Sequence, residues 1–120
     1  MGNNYVDLYR YRAIGDSLED WVGKPIVAKD GPRTLELGER NTLDLRDYGY
    51  TVDETFEGRG PVERVVKYSY WGDEAHGPAY ILEIEASGQG ALYYCADIHD
   101  LFGLLAKFGP LIGDREEETD

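Results

Sequence analysis

The sequence predicts a single α+β domain: an antiparallel sheet of about five or six strands, one C-terminal amphipathic helix packed on it, and a short N-terminal helix. Three observations carry this. Two β-forming runs, Tyr80 to Ala86 and Ala91 to Ala96, flank the turn sequence Ser87-Gly88-Gln89-Gly90. Asp97 then precedes Ile98, Leu101, Phe102, Leu105 and Phe108, an i, i+3, i+4, i+7 stripe of one helix face. The length, 120 residues with one cysteine, suits one hydrophobic core and excludes an internal disulfide. Residues 1–112 are assigned to the domain and 113–120 to an acidic tail.

Taken in order, Tyr5 to Ile14 is rich in β-formers and predicts a first strand whose alternation is broken by Arg10 and Arg12. Asp16-Ser17-Leu18-Glu19 offers a helix cap, with Trp21 and Val22 as a short apolar face ended by Gly23 and Pro25. Asp30-Gly31-Pro32 marks a turn. Thr34 to Leu37 and Thr42 to Leu45 alternate polar residues with Leu, the pattern of half-buried strands joined through Gly38-Glu39-Arg40-Asn41. Tyr48 to Pro61, with three glycines and a proline, shows no period and reads as an irregular loop.

Arg64 to Trp71 predicts the next strand, and 72–78 a loop leading to the hairpin. Centring that hairpin turn on Gly88 and Gln89 opposes Leu82 to Cys95, Ile84 to Tyr93 and Glu83 to Tyr94. If Leu82 and Ile84 face the core, Val66, Tyr68 and Tyr70 join them, and Lys67 falls on the face of Glu83 and Glu85. Gly109-Pro110 ends the C-terminal helix. The tail 113–120 holds five acids and nothing to bury, so disorder is expected there.

The charge is unusual: twelve basic against twenty-four acidic residues, a net of −12. Residues 1–62 carry net −4 and residues 63–120 net −8. Between Lys67 and Lys107 there is no Lys or Arg, while Asp73, Glu74, Glu83, Glu85, Asp97 and Asp100 all fall there. Such a field repels nucleic acid and anionic membranes and attracts basic surfaces. The N-terminus lacks the regions of a signal peptide, and Val6 departs from the myristoylation motif. The chain reads as a soluble, cytoplasmic protein.

Motifs for catalysis are missing. Gly58-Arg59-Gly60-Pro61 resembles a phosphate loop only superficially, and no GxxxxGK[ST], GxSxG or HExxH occurs. Cys95, Asp97 and His99 alternate at the strand-to-helix junction, with His76 in the preceding loop, but a helix start at Asp97 turns His99 away from a shared zinc site. Cys95 is expected in the core. No cofactor or metal is assigned.

The expected function is therefore binding: a non-enzymatic acidic protein that inhibits or regulates a basic, nucleic-acid-binding protein target. Carboxylates placed where phosphates would sit can occupy such a cleft, as phage-encoded defence inhibitors and toxin-immunity proteins do. The residues assigned to the partner surface are Glu83, Glu85, Tyr94, Asp73, Glu74, Asp97 and Asp100. Alternatives are a small enzyme or small-molecule binder with a pocket between helix and sheet, or a domain whose acidity is adaptation to high salt.

Overall fold

The computed structural model describes residues 18–39, 42–72, 77–86 and 89–116. The predicted first strand, 5–14, lies outside them, as do Asp16, Ser17, Asp73, Glu74 and His76. What is described of the short N-terminal helix is a 3₁₀ turn, Leu18–Trp21.

The core of the fold is a five-stranded antiparallel sheet. Strands β3 (Thr51–Gly58), β4 (Arg64–Tyr70), β5 (Ala79–Ala86) and β6 (Gln89–Cys95) form a meander. Helix α1 (Ile98–Phe108) then lies on β5 and β6, and β7 (Ile112–Arg115) pairs with β3, giving the order β6-β5-β4-β3-β7. Strands β1 (Pro25–Ile26) and β2 (Arg33–Thr34) make a separate two-residue ladder around the turn at Asp30 and Gly31.

Both faces of the sheet are buried, against different partners. On one, Val65, Leu82, Ile84, Tyr93 and Cys95 pack with Leu101, Leu104 and Phe108 of α1. On the other, Tyr70, Ala79, Ile81 and Tyr94 pack with Leu18, Ile26, Leu35, Tyr48 and Tyr50 from the irregular segment 18–50. Two-sided burial explains why β5 is buried at six of its eight positions rather than at alternate ones.

It also reverses the expected parity of β4. Lys67 pairs with Leu82 and Val65 with Ile84, so Lys67 lies on the helix face. Val66, Tyr68 and Tyr70 share the other face with Glu83 and Glu85. With two apolar layers to fill, the tyrosines of β4 pack under segment 18–50 and leave the helix side to Val65. The hairpin register differs too: Ala86 pairs with Gln89, so Leu82 opposes Tyr93 and Glu83 opposes Leu92, two positions from the expected pairing. That shift preserves the faces and changes the neighbours.

Strand β3 occupies the stretch read as an irregular loop. Val52 pairs with Tyr68 and Glu54 with Lys67, which leaves Asp53 as the extra residue of a bulge. The bulge switches faces, so Val52 lies with Tyr68 while Phe56 joins the helix-side core. No single period runs through such a strand. The bulge also aims two consecutive acids at one cation: Lys67 Nζ is 2.9 Å from Asp53 Oδ2 and 2.8 Å from Glu54 Oε1. Arg115 of β7 approaches Glu54 at 3.6 Å.

The expected strand at Thr42 to Leu45 is absent because Asp44 accepts the backbone N–H of Arg46 at 3.0 Å and caps a 3₁₀ turn, Leu45–Tyr48. In α1, Asp97 accepts from the backbone N–H of Asp100 at 3.0 Å, as a helix cap does. The buried residues are Leu101, Leu104 and Phe108, and Phe102 is 58% exposed, so the stripe is rotated from the expected one. Residues 113–116, assigned by charge to a disordered tail, are strand β7 and its exit; 117–120 lie outside the described residues. Strand pairing there needs backbone, not apolar side chains: Arg115 pairs with Phe56, and Glu116 N–H donates to Thr55 O at 2.7 Å.

Gly58 closes the β3–β4 turn at a position no larger residue can take. A Cβ there would lie 2.1 Å from Val62 O.

The Lys67 cluster makes a stability prediction. The hydrogen bond from Lys67 holds the Glu54 carboxyl below its ordinary 4.5, so Glu54 contributes stability above its unfolded pKa and loses it as pH falls through the lowered folded value. Burial alone would depress Lys67, but hydrogen bonds to Glu54 and Asp53 outweigh it and raise its pKa, a contribution lost only in strong alkali. Lys67→Met is expected to cost about 1–3 kcal/mol at pH 7, less than a fully buried pair would. In urea denaturation the gap to wild type should narrow at pH 3; an equal gap at both pH values would contradict this assignment.

Candidate functional site

Glu83 and Glu85 alternate along β5 and share the sheet face away from α1. Both are half-buried. Their cross-strand neighbours on β6 are Leu92 and Gly90, and on β4 Val66 and Arg64. Arg64 thus takes the place expected of Lys67, again one cation beside two carboxylates. Among the described residues, neither glutamate has an ion-pair partner within 4 Å. What Glu83 does have is the neutral phenol of Tyr68, whose hydroxyl donates to Glu83 Oε1 at 2.9 Å. Burial, then that hydrogen bond and the charge of Glu83, push the Tyr68 phenol up to about 12.

The second carboxylate oxygen of Glu83 faces Gly90. A Cβ built on Gly90 would lie 3.8 Å from Glu83 Oε2 and 3.9 Å from Ile84 O, ordinary van der Waals contact.

Beside Glu83 opens a cavity of about 400 Å³. Leu43, Leu45, Val52 and Leu92 supply apolar wall, Tyr68 and Glu83 the polar floor, and Asp44 and Arg46 the rim. Leu43 and Leu45 reach it because the Asp44 cap turns the chain there, and Val52 because it precedes the bulge. A second cavity of about 560 Å³ shares Leu43 and Leu92 with the first and continues along Leu18, Val22, Leu35 and Leu37 past Gly90.

The other assigned residues fall elsewhere. Tyr94 opposes Ile81 rather than Glu83 and is buried, with Trp21 against it at 4.9 Å and its hydroxyl accepting from Val27 N–H at 2.9 Å. It offers no surface to a partner. Asp97 and Asp100 are exposed and adjacent at the start of α1. That end of the sheet is marked by the Tyr80–Cys95 pair, three positions from Glu83 or roughly 10 Å along the strand. These assigned acids therefore divide into two patches, and the two cavities just described adjoin the glutamate patch. Tyr68, Gly90, Leu92 and Val52 were missed in sequence; the one signal pointing to them is the glycine opposite Glu85, where a strand-former would be usual.

Cys95 is fully buried, and burial, followed by the charges of Asp100 and Asp97, pushes its thiol up to about 12. Among the described residues no group of three or more His, Cys, Asp or Glu is placed to hold a metal ion, and no helix is long and apolar enough to cross a membrane.

No protein-family model, curated protein or solved structure matches this chain.

The state of Cys95 predicts its reactivity. A thiol without solvent access and with so high a pKa is expected to resist an aromatic disulfide reagent at pH 8 while the protein is folded, and to react fully in denaturant. Complete reaction within minutes in the native state would place Cys95 outside the core.

Proposed function

We propose that this chain is a binding protein for a basic protein surface, and that Glu83 and Glu85 receive a Lys or Arg side chain of that partner. The supporting observation is the pair of half-buried carboxylates over Gly90 with no ion-pair partner among the described residues. A carboxylate withdrawn from water is costly unless a cation or several donors meet it. The Tyr68 hydroxyl meets one oxygen of Glu83 and leaves the rest for a guanidinium or ammonium group. The net charge of −12 adds long-range steering toward such a partner. Where the partner's basic surface binds nucleic acid, occupancy by this domain blocks it, which makes the binding regulatory or inhibitory.

A second reading takes its support from cavity size. About 400 Å³ beside one carboxylate falls in the range of small-molecule sites, and its chemistry suits an amine with an apolar body. This cavity lies between the sheet and segment 42–52, not between helix and sheet.

The two readings separate by salt dependence. A fluorescein-labelled arginine-rich peptide, followed by anisotropy between 50 and 300 mM salt, is expected to bind more tightly at low salt. The double variant Glu83→Lys/Glu85→Lys should weaken it at least tenfold and flatten the dependence. Asp114→Lys/Glu116→Lys makes the same charge change on β7 and its exit and should have a much smaller effect. Equal losses in both variants, or none in the first, would overturn the reading.

A further inference from the structure

The two adjoining cavities carry the question of what kind of basic segment fits. Five large apolar side chains are exposed among the described residues: Val22, Leu37, Val52, Trp71 and Phe102. Three of them, Val22, Leu37 and Val52, line these cavities. Isolated exposed apolar residues need no explanation, but a contiguous strip bordered by charge marks a contact surface. Here the strip is continuous, since Leu43 and Leu92 belong to both cavities. One end is acidic, at Glu83, Tyr68 and the adjacent Glu85; the other is aliphatic, at Leu18, Val22, Leu35 and Leu37.

Resting on the reading of the acid pair as a cation acceptor, we infer that the partner contributes a two-ended segment. Its Lys or Arg side chains meet Glu83 and Glu85, and its Leu, Ile or Val side chains lie against Val22, Leu37 and Leu92. Charge complementarity fixes the direction. An aliphatic end on Glu83 would bury its half-buried carboxylate without a donor, whereas the acids beside Leu37, Glu36 and Glu39, are exposed and stay hydrated when the groove is filled. Gly90 lies between the two ends, since it lines the aliphatic cavity and faces Glu83. Specificity then comes from the aliphatic end, since any cationic peptide is attracted to a chain of this charge. The chain's own residues 1–17 join at Leu18, which lines the aliphatic end, and they include Arg10 and Arg12. Self-occupancy is therefore the competing outcome.

Two fluorescein-labelled ten-residue peptides test this with the full chain at 150 mM salt. One carries two lysines at alternate positions followed by Leu-Ala-Leu; in the other, serine replaces both leucines. The leucine peptide is expected to bind at least tenfold more tightly. Val22→Ser/Leu37→Ser should remove that advantage and leave the serine peptide unaffected, with circular dichroism melts verifying that the variant is folded. Both side chains are about 40% exposed, so folding should survive the change. Glu83→Gln/Glu85→Gln should weaken both peptides alike. If the peptides bind equally and only the glutamine variant weakens them, the inference fails while the acid pair keeps its role. If the glutamine variant changes neither, both fail. If wild type binds neither peptide and Arg10→Ser/Arg12→Ser binds both, the groove belongs to the chain's own N-terminal segment, which overturns the inference.

Discussion

Three tyrosine hydroxyls, those of Tyr48, Tyr50 and Tyr94, hold segment 18–50 in place over the sheet. Among its described residues, segment 18–50 covers one sheet face with a two-residue ladder, one isolated bridge between Val22 and Leu35 and a few turn bonds, so its remaining inward peptide groups need other partners. Tyr94 accepts the N–H of Val27, and Tyr50 donates to the carbonyl of the same residue at 2.5 Å. One peptide position is thus fixed from both sides by side chains, one from β6 and one just before β3. Tyr48 accepts from the N–H of Glu36 at 2.9 Å, and Arg33 donates to the carbonyl of Asp47 while lying over the Tyr48 ring. Burial pushes the Tyr50 and Tyr94 phenols up, which keeps them neutral and able to serve in these bonds. Without such pegs the second apolar layer would have no fixed lid, and the walls at Leu35 and Leu43 would have no fixed position.

The same pegs explain what could be seen in the sequence. The hairpin of β5 and β6, the Asp97 cap and the extent of α1 are local features, written in runs of adjacent residues and their periods. The location of Glu83 and Glu85 on one face follows from strand geometry alone. The role of Tyr94 does not: a tyrosine facing away from the helix reads as a surface aromatic until one knows that residues 26–28 lie on top of it. Strand β3 was hidden for a different reason, since the bulge at Asp53 moves Val52 and Phe56 to opposite faces and erases the alternation. The site's apolar walls were hidden by distance. Leu43, Val52 and Leu92 are far apart in the chain, and only the fold brings them beside Glu83.

The acidic excess is also sorted by the structure rather than spread evenly. Asp44 and Asp97 are spent locally on backbone N–H groups that the first turns of their helices leave unpaired. Asp53 and Glu54 share Lys67 and, through Glu54, Arg115. Each of these acids has an assignment internal to the fold. Among the described residues, Glu83 and Glu85 differ in that their neighbours are a phenol, a glycine and an arginine beyond ion-pair range.

Strand β7 has a consequence for how the chain reaches this state. The meander of β3 to β6 is built from neighbours in sequence, whose loops close at low entropic cost. Pairing β7 with β3 instead joins positions more than fifty residues apart, Gly58 with Ile112, and it does so only after α1 has crossed the sheet. On loop-closure grounds this is the most non-local pairing within the five-stranded sheet. Until β7 is added, β3 is an open edge with unpaired amides, and the charged Asp114 and Arg115 of the arriving strand leave a far less adhesive edge behind.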